Sequence, residues 1–510
     1  MDYLLGIDIG TNSSKGALVT KMGEVVATGT VAHSLEIPHP NWAEHDAESA
    51  WWRGFVEICR QLICTSGIRA QQITATGLSG ISPSVLPVDR AGKPLRKAIL
   101  YGIDARATRE VAELQRITDA DPMLAQFGVR LSSQSAAPKV LWIRRNEAEV
   151  WARTHLVLNC TGFLLYRLTG EATLDIYNAS TFAPFVDYEH CRWMQAFEQY
   201  VAPIEKLPHL TWTCEVAGRV NAEAARLTGL AEGTPIITGT ADAAAEAVSG
   251  GLMDVGDLFV MYGSSIFFIL RTARLHATRS FWSAPFLEKG THVLTGGMST
   301  AGTLTQWFRD QFALCEAEAE KRGGENAYAA LARLAASSPV GARGIVVLPY
   351  FSGERTPLLD PDAKGLIFGL GLNHTRVDVY RAILESIGFG IRHNLEEMKK
   401  EGASPRRVLA VGGGTLNPVL MQIVSDIAGI EQHIPEQQIG ACYGDAFLAG
   451  VGVGVFSDIA EASLWVTTKR VVKPDTTAHG EYEGYYRIYR GLYKATAPLM
   501  RDLGGLSCRT

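Results

Sequence analysis

Hydrophobic and polar positions first alternate in a strand-like way at the start of the chain. Apolar segments at 4–9 and 17–19 enclose a polar turn at 10–16 that contains two glycines. Strand-like segments on both sides of a short turn predict a β-hairpin rather than a strand that leads into a helix. Asp8 alternates with Ile7 and Ile9, so we expect its side chain to point away from the face that buries those two residues.

The same pattern returns in the second half of the chain. Apolar segments at 258–262 and 266–270 flank a turn formed by Gly263, Ser264 and Ser265. Two hairpins rich in hydrogen-bond donors, one near the start of each half, suggest duplicated domains that hold one phosphate chain from both sides. We therefore predict two domains, residues 1–250 and 251–510, separated where Ser249, Gly250 and Gly251 interrupt a helix.

The segments between the hairpins alternate between strand and helix patterns. The pattern predicts a strand at 73–80, a helix from an Asp46 N-cap to about residue 64, and a strand at 235–238 that leads into an alanine-rich helix. A further helix begins at Gly302, and another follows the strand that ends at residues 412–414. Alternating strands and helices indicate an α/β protein.

Composition narrows the class of protein. A chain of 510 residues is longer than a domain with a single hydrophobic core usually is, which supports two domains. The formal net charge of -5 argues against a nucleic-acid partner, because no basic excess exists to meet phosphate backbones. The eight cysteines form no Cys-x-x-Cys pair, and no segment has the roughly 18 consecutive apolar residues of a membrane span. These features predict a cytoplasmic protein without a membrane or nucleic-acid partner.

The first hairpin carries groups that suit a metal–polyphosphate. Asp8 offers a carboxylate for a cation, and Gly10 lets the backbone approach a ligand closely. The turn adds donors and one positive charge from Thr11, Asn12, Ser13 and Lys15. An ordinary structural hairpin explains the same residues, so they leave both interpretations open. The P-loop and the Gly-x-Gly-x-x-Gly fingerprint are both absent, so a nucleotide needs a different architecture.

Other candidate residues lie in loops and at strand ends outside the two hairpins. Asp242 follows a strand and begins a helix, where it either faces a cleft or only caps the helix. Ser82 and Pro83 lie in a loop between two strands, which is either a plain turn or a small-ligand contact. Asp104 and Arg106 either bind a polyol or form a local ion pair, and their residue types alone favour the ion pair.

Two further groups of candidates lie in the second half of the chain. Gly302 and Gln306 lie one turn apart on a predicted helix face. Gly412, Gly413 and Gly414 end a strand before a helix, and residues without side chains let a flat ligand such as adenine lie against the backbone. A flexible loop is the alternative explanation for the three glycines.

Taken together, these residues resemble the FGGY carbohydrate kinases over nearly the whole chain, with a pattern most similar to the xylulokinase-like members. The resemblance rests on six ordered segments. They are Gly6-Ile7-Asp8-Ile9-Gly10-Thr11, residues 239–242, residues 263–265, Ser352-Gly353-Glu354-Arg355-Thr356-Pro357, residues 365–370 and residues 378–385.

The resemblance implies two actin/ribonuclease-H-like α/β domains with ATP and a sugar in the cleft between them. Asp8 would then help to position Mg²⁺, and Asp242 would be the general base for the attacking sugar hydroxyl. Phosphate contacts would come from Thr11, Asn12, Ser13, Lys15, Gly263 and Ser264. The nucleoside would lie against Gly302, Gln306, Gly412, Gly413, Gly414 and Asn417, and the sugar against Ser82, Pro83, Asp104, Arg106 and Asp242.

Two departures from the family pattern concern the substrate. Xylulokinases usually carry Gln-Met-His-Gly where this chain has Ile81-Ser82-Pro83-Ser84, and usually Asn where this chain has Ala243. Because both changes remove polar groups expected to bind a ketopentose, we predict a changed or relaxed preference among sugars, sugar acids and polyols. A non-enzymatic ATP-dependent switch or a sugar sensor of the same fold is the alternative function. The resemblance leaves the oligomeric state open, with a homodimer as one candidate.

Overall fold

The computed structural model describes residues 2–507, which form two seven-stranded sheets with helices packed against them. This arrangement confirms the predicted α/β class. In the part of the chain that the structure describes, no helix combines the length and apolar character that crossing a bilayer requires.

The first half of the chain builds one sheet and several short strand pairs. Its strands are β1 (Tyr3–Ile9), β2 (Ser13–Thr20), β3 (Val25–Ala32), β4 (Glu44–His45), β5 (Ile73–Gly80), β6 (Leu86–Val88), β7 (Ala98–Ile99), β8 (Leu156–Leu158), β9 (Thr173–Asp175), β10 (Val186–Asp187), β11 (Arg192–Trp193), β12 (His209–Thr211), β13 (Val216–Arg219), β14 (Pro235–Ile237) and β15 (Thr240–Ala241). The sheet has the order β13-β14-β5-β1-β2-β3, and β15 also pairs with β5. The predicted first hairpin is confirmed, because β1 and β2 pair antiparallel with Asp8 opposite Lys15.

Ten α-helices belong to the same half. They are α1 (Arg53–Ser66), α2 (Thr108–Ala120), α3 (Pro122–Ala125), α4 (Ala136–Asn146), α5 (Ala148–Arg153), α6 (Cys160–Thr169), α7 (Ile176–Ala179), α8 (Gln195–Tyr200), α9 (Ala222–Thr228) and α10 (Asp242–Ser249). A π-helix at Ala47–Trp52 precedes α1, and the Asp46 side chain caps it by accepting from the Ser49 amide. The predicted Asp46 cap is therefore confirmed.

The second half builds the other seven-stranded sheet. Its strands are β16 (Asp257–Tyr262), β17 (Ile266–Thr272), β18 (Trp282–Pro285), β19 (His292–Met298), β20 (Val346–Leu348), β21 (Leu366–Phe368), β22 (Arg407–Val411), β23 (Gln432–Pro435) and β24 (Thr468–Val472). The order is β18-β19-β17-β16-β22-β23-β24, with β16, β22 and β23 parallel. The second predicted hairpin is confirmed by the antiparallel pairing of β16 with β17.

The helices of the second half cover this sheet and reach across to the first. They are α11 (Gly302–Phe312), α12 (Leu314–Lys321), α13 (Ala327–Ala335), α14 (Arg376–Lys400), α15 (Pro418–Ala428), α16 (Ala441–Gly452) and α17 (Thr476–Ser507). The helix α16 packs on β1, β5 and α10 of the first half. We propose that the domain boundary lies just after α10, between residues 250 and 251, and α16 makes the most extensive contacts across it.

The close approach of α16 depends on glycine. A Cβ atom at Gly6 would lie 1.9 Å from the Cys442 carbonyl oxygen, and one at Gly77 would lie 2.0 Å from that of Asp445. Similarly, a Cβ atom at Gly444 would lie 2.0 Å from the Ala245 carbonyl oxygen. The backbone of α16 therefore contacts the backbone of the first half on two sides, at β1 and β5 on one side and at α10 on the other.

Candidate active site

The ends of three parallel strands bring the candidate catalytic residues together. Asp8 on β1 is paired with Ser79 on β5, and Ser79 is paired with Thr240 on β15. Asp242 follows directly as the first residue of α10. Because the carboxyl ends of neighbouring parallel strands meet at one edge of a sheet, Asp8, Ser79 and Asp242 share that edge.

Asp8 is buried, with 8% of its surface exposed. The Ser79 hydroxyl lies 3.2 Å from the Asp8 Oδ1 atom and 2.7 Å from the Asp445 Oδ2 atom. Burial raises the pKa of Asp8 to about 6, and the Ser79 contact and the Lys15 charge oppose that rise. One hydroxyl proton cannot serve two carboxylates at once, so this edge holds more negative charge than its own donors satisfy.

Asp242 does not serve as the N-cap of α10. The capping residue is Ala241, which makes no side-chain cap bond, and the Asp242 Oδ1 atom accepts from the Ala243 amide at 2.8 Å. The interpretation that Asp242 only caps the helix is therefore wrong. Burial first, and then the nearby charge of Asp8, raise the pKa of Asp242 well above its ordinary value.

The chemistry of these carboxylates fits a divalent cation. Burial and the Asp8 charge also raise the pKa of Glu246, one turn after Asp242 on α10, to about 7. A cation among these groups would relieve their repulsion and lower their pKa values. Within residues 2–507, no three metal-ligating side chains are arranged to hold a metal ion by themselves. Mg²⁺ needs no such cage, because it usually takes one or two carboxylates and completes its shell with water and phosphate oxygens.

The first hairpin is held from the side of the sugar-sized cavity. The Thr11 Oγ1 atom lies 3.0 Å from the Tyr101 hydroxyl, and the Gly10 amide donates to the Ser13 carbonyl at 3.0 Å. Asn12 and Lys15 remain exposed, and Lys15 lines a cavity between the two halves. The turn is thus rigid while its polar groups stay available to a ligand.

The second hairpin is fixed by the start of α11. The Gly302 amide donates to the Gly263 carbonyl at 3.1 Å, and the Ala301 and Thr303 amides donate to the Ser264 carbonyl, both at 3.0 Å. A Cβ atom at Gly302 would lie 2.6 Å from the Gly263 carbonyl oxygen, so only glycine permits this contact. Gly302 therefore supports the hairpin, and Gln306 lies exposed one turn further along α11.

The glycine loop after β22 faces the first hairpin across a cavity of about 330 Å³. Lys15 and Glu246 from the first half line this cavity together with Gly412 and Gly413 from the second. Gly414 packs instead against Tyr262, where a Cβ atom would lie 2.8 Å from the Tyr262 Cβ atom. The loop thus brings bare backbone to the same space as the Lys15 ammonium group.

Asn417 has a structural role at the start of α15. Its side-chain oxygen accepts from the Val419 amide at 3.1 Å and from the Leu420 amide at 3.0 Å. Because this N-cap occupies the oxygen, only the amide NH₂ of Asn417 is left for a nucleoside.

Two adjoining cavities form the sugar-sized side of the site. The smaller has a volume of about 170 Å³ and is lined by Asp242, Ser82, Pro83 and Ala243. The larger, about 700 Å³, includes Asp104 and Tyr101. The structure therefore brings the predicted loop 82–83 to the predicted base, although they are 160 residues apart in sequence.

Asp104 and Arg106 form the ion pair that their residue types favoured. The Arg106 Nη2 atom lies 2.6 Å from the Asp104 Oδ2 atom, and Arg106 Nη1 lies 2.8 Å from Glu44. Both members of the Asp104 pair have fully buried side chains, and the guanidinium stacks 3.8 Å from the centre of the Trp42 ring. The Arg106 charge is thus satisfied inside the protein, and only Asp104 of this pair lines the larger cavity.

Sequence reasoning missed several side chains that the structure places at the site. They are Ser79, Tyr101, Glu246, Arg355 and Asp445. Glu246 was detectable, because it lies four residues after Asp242 and so on the same helix face. The Ser79–Asp445 contact joins residues 366 positions apart, and no local pattern reports such a contact.

Comparison with known proteins agrees with this geometry. The family model described as the N-terminal domain of the FGGY family of carbohydrate kinases matches residues 3–249, and the model of the C-terminal domain matches residues 258–453. A xylulose kinase of Escherichia coli strain K12 is 28% identical over 509 residues, covering 97% of this chain and 99% of that protein. An L-xylulose/3-keto-L-gulonate kinase of the same strain is 26% identical, covering 97% of both chains.

A solved structure is also similar. The crystal structure of xylulose kinase from Rhodospirillum rubrum superimposes with a TM-score of 0.89 at 31% identity, covering 98% of this chain and 100% of that chain. These findings confirm the predicted resemblance, the two-domain α/β fold of the family and the activity of an ATP-dependent carbohydrate kinase.

Proposed function

The chain belongs to the FGGY family of carbohydrate kinases, and from that premise we propose that Asp242 is the general base for Mg²⁺-dependent phosphorylation of a small sugar, sugar acid or polyol. The observation that carries this proposal is the position of Asp242. It lines the sugar-sized cavity and shares a sheet edge with Asp8 of the first phosphate hairpin.

The two hairpins, the glycine loop and Asp242 each have a separate role in the proposed reaction. The donors of residues 11–15 and 263–264 hold the phosphates from opposite sides, and the bare backbone at 412–413 receives the nucleoside. Asp242 accepts the proton of the attacking hydroxyl as the new oxygen–phosphorus bond forms. Phosphoryl transfer depends mostly on such positioning and charge stabilisation, so no covalent nucleophile is needed.

Asp8 would hold Mg²⁺, with Glu246 and Asp242 as neighbouring negative groups. The bound ion supplies charge neutralisation for the phosphate oxygens. Lys15 lies opposite Asp8 in the hairpin register and contributes a second positive charge at the same place.

The substrate class follows from the smaller cavity. Ser82, Pro83 and Ala243 bring a single side-chain hydroxyl to it, and its other polar groups include Asp242, Arg130, Gln134, Ser135, Thr181, His276 and Arg355. The relatives include kinases named for xylulose and for L-xylulose and 3-keto-L-gulonate. We propose a substrate of that size and keep sugar acids and polyols within the class. The oligomeric state stays open, with a homodimer as one candidate.

A cytoplasmic location is part of the proposal. Seven cysteines within residues 2–507 are free thiols, which fits a reducing compartment that also supplies ATP.

The test is the Asp242→Asn variant with Asp502→Asn as a matched control on an exposed face of α17. We expect kcat to fall by ~10²–10⁴-fold with Asp242→Asn because the proton acceptor is lost, and ADP binding to persist. ADP release across ketoses, aldonates and alditols identifies the substrate in the wild-type protein. Near-normal turnover of Asp242→Asn would refute the base. ATP binding with no response to any sugar would instead favour the switch or sensor.

A further inference from the structure

The guanidinium of Arg355 is seated on the edge of the second sheet. Its Nη2 atom donates to the Ile266 carbonyl at 3.0 Å and to the Met298 carbonyl at 2.6 Å. These carbonyls belong to the first residue of β17 and the last residue of β19. A Cβ atom at Gly297 would lie 3.1 Å from Nη2, so the glycine leaves room for the guanidinium. Arg355 is thereby fixed directly beside the turn of the second hairpin, which ends at Ser265.

The charge of Arg355 is only weakly compensated within residues 2–507, where the carboxylate that acts on it is that of the adjacent Glu354. Its Nε atom is buried and has no hydrogen-bond partner, and within residues 2–507 no carboxylate forms an ion pair with the guanidinium. The neighbouring Glu354 is engaged elsewhere, since its Oε1 atom accepts from the Ser299 amide at 2.8 Å and from the Arg355 amide at 2.7 Å. Burial raises the pKa of Glu354 to about 7, which weakens it further as a counter-charge. A buried cation whose nearest carboxylate is itself buried and weakly ionised is costly unless a further anion arrives.

The place where that anion would lie is defined by the cavities. Arg355 lines both the smaller cavity, with Asp242, and the larger one, with Tyr101 and Ser265. Tyr101 contacts Thr11 of the first hairpin, and the charges of both Asp242 and Arg355 act on its pKa. An anionic group between the two hairpins and the base therefore meets the guanidinium.

We propose that Arg355 is a catalytic residue that donates hydrogen bonds to the phosphoryl group during its transfer. The inference deepens the proposed function and rests on it. In the transfer, the sugar oxygen bonds to the γ-phosphorus, the bond from that phosphorus to the bridging oxygen breaks, and ADP keeps the electron pair. Asp242 takes the hydroxyl proton. Negative charge on the equatorial oxygens then faces the Nη1 donors of a guanidinium that its Nη2 contacts already hold in place, and donors fixed before the reaction lower its barrier.

The alternative ligand for Arg355 is a carboxylate of the sugar itself. The two sources of anion differ in what they change. A group that meets the transferred phosphoryl lowers kcat for every substrate, whereas a group that holds the sugar changes KM for anionic sugars alone.

The experiment compares Arg355→Met and Arg355→Lys with Arg333→Met, a control on the exposed surface whose partner is Glu325. Steady-state kinetics uses the best sugar of the panel. Calorimetry measures binding of ADP alone and of ADP with aluminium fluoride in the presence of that sugar and Mg²⁺, a complex that imitates the transferring phosphoryl group. The Lys variant keeps a cation for the Ile266 and Met298 carbonyls, so it tests the proposal even where the Met variant folds poorly.

For Arg355→Met we expect kcat to fall at least ~10²-fold, with ADP binding and the sugar KM unchanged. Binding of ADP–aluminium fluoride weakens by the same factor. Arg355→Lys recovers part of kcat, because the lysine ammonium keeps the positive charge but not the planar geometry of the guanidinium. Normal kcat, or a raised sugar KM with unchanged ADP–aluminium fluoride binding, would overturn the assignment. A wild-type protein that phosphorylates no sugar refutes the proposed function instead, so the two failures are distinguishable.

Discussion

The contact between α16 and the first sheet gives a direct test of how the halves are joined. A Gly77→Ala substitution places a Cβ atom 2.0 Å from the Asp445 carbonyl oxygen and 2.7 Å from its carbonyl carbon. These are backbone atoms of a helix, so no flexible side chain can turn aside. An ordinary contact begins at 3.4 Å, and α16 therefore has to move away from β5 by about 1.4 Å.

That movement has two costs. Overpacking of a core typically costs about 1–3 kcal/mol. The same shift lengthens the 2.7 Å hydrogen bond from Ser79 to the Asp445 carboxylate, and a buried acceptor without its donor costs about 1–3 kcal/mol more. We therefore expect Gly77→Ala to lower the free energy of unfolding by roughly 2–6 kcal/mol, a large share of the 5–15 kcal/mol typical of a folded protein.

The assay is urea unfolding followed by circular dichroism and tryptophan fluorescence. The matched control is Gly484→Ala in the interior of α17, where a new Cβ atom would have no other atom within 4 Å. Alanine is the better helix former by up to about 1 kcal/mol, so this control should be unchanged or more stable. If Gly77→Ala unfolds at the wild-type urea concentration, the close docking of α16 on β5 is refuted.

Three further predictions concern the buried carboxylates. Asp175 accepts hydrogen bonds from the Thr213 and Thr240 hydroxyls at 2.9 and 2.8 Å, so Asp175→Ala should lower the free energy of unfolding by about 3 kcal/mol. The substitution should also reduce kcat, because Thr240 leads into Asp242. Unchanged thermal unfolding would contradict this prediction. Since the pKa of Asp8 is raised to about 6, kcat/KM for Mg-ATP should fall as the pH drops through about 6 rather than near 4, and excess Mg²⁺ should move that limb to lower pH. Burial also raises the pKa of Asp175 to about 6, so both Asp8 and Asp175 hold protons more tightly in the folded than in the unfolded state. Their contribution to the free energy of unfolding is therefore present below pH ~4 and is lost as the pH rises through about 6. Melting temperatures of the ligand-free protein measured across that range test the sign, and a melting temperature that rises with pH there would refute it.

The hairpins were predictable from the sequence because their information is local. A strand, a glycine-bearing turn and a second strand lie within about twenty residues at 3–20, and the pairing of Asp8 with Lys15 follows from the turn alone. The same is true of the strand at 73–80 and of the glycine loop after β22. Such sites use backbone groups, so the glycine and turn residues in the sequence predict where they lie.

The docking of α16 was not predictable in this way. Its signal is a helix with apolar residues on most sides, which indicates burial without naming the surface that buries it. The glycines that receive it, Gly6 and Gly77, read as ordinary strand residues until the helix is in place. Asp445 likewise reads as a polar residue in an apolar helix, and its partner Ser79 is known only from the fold.

The residues of the proposed sugar-binding side are more scattered along the sequence than those of the proposed phosphate-binding side. Its lining comes from segments around 82–83, 127–135, 177–183, 241–243 and 276–284 and from Arg355, each of which contributes only a few side chains. A preference for one sugar is the sum of those separate contributions, and a single buried donor left without its partner can decide it. The proposed phosphate contacts come from contiguous residues, which a sequence pattern can identify. The proposed sugar contacts form only when both halves are assembled, with Arg355 of the second half and Asp242 of the first lining one cavity.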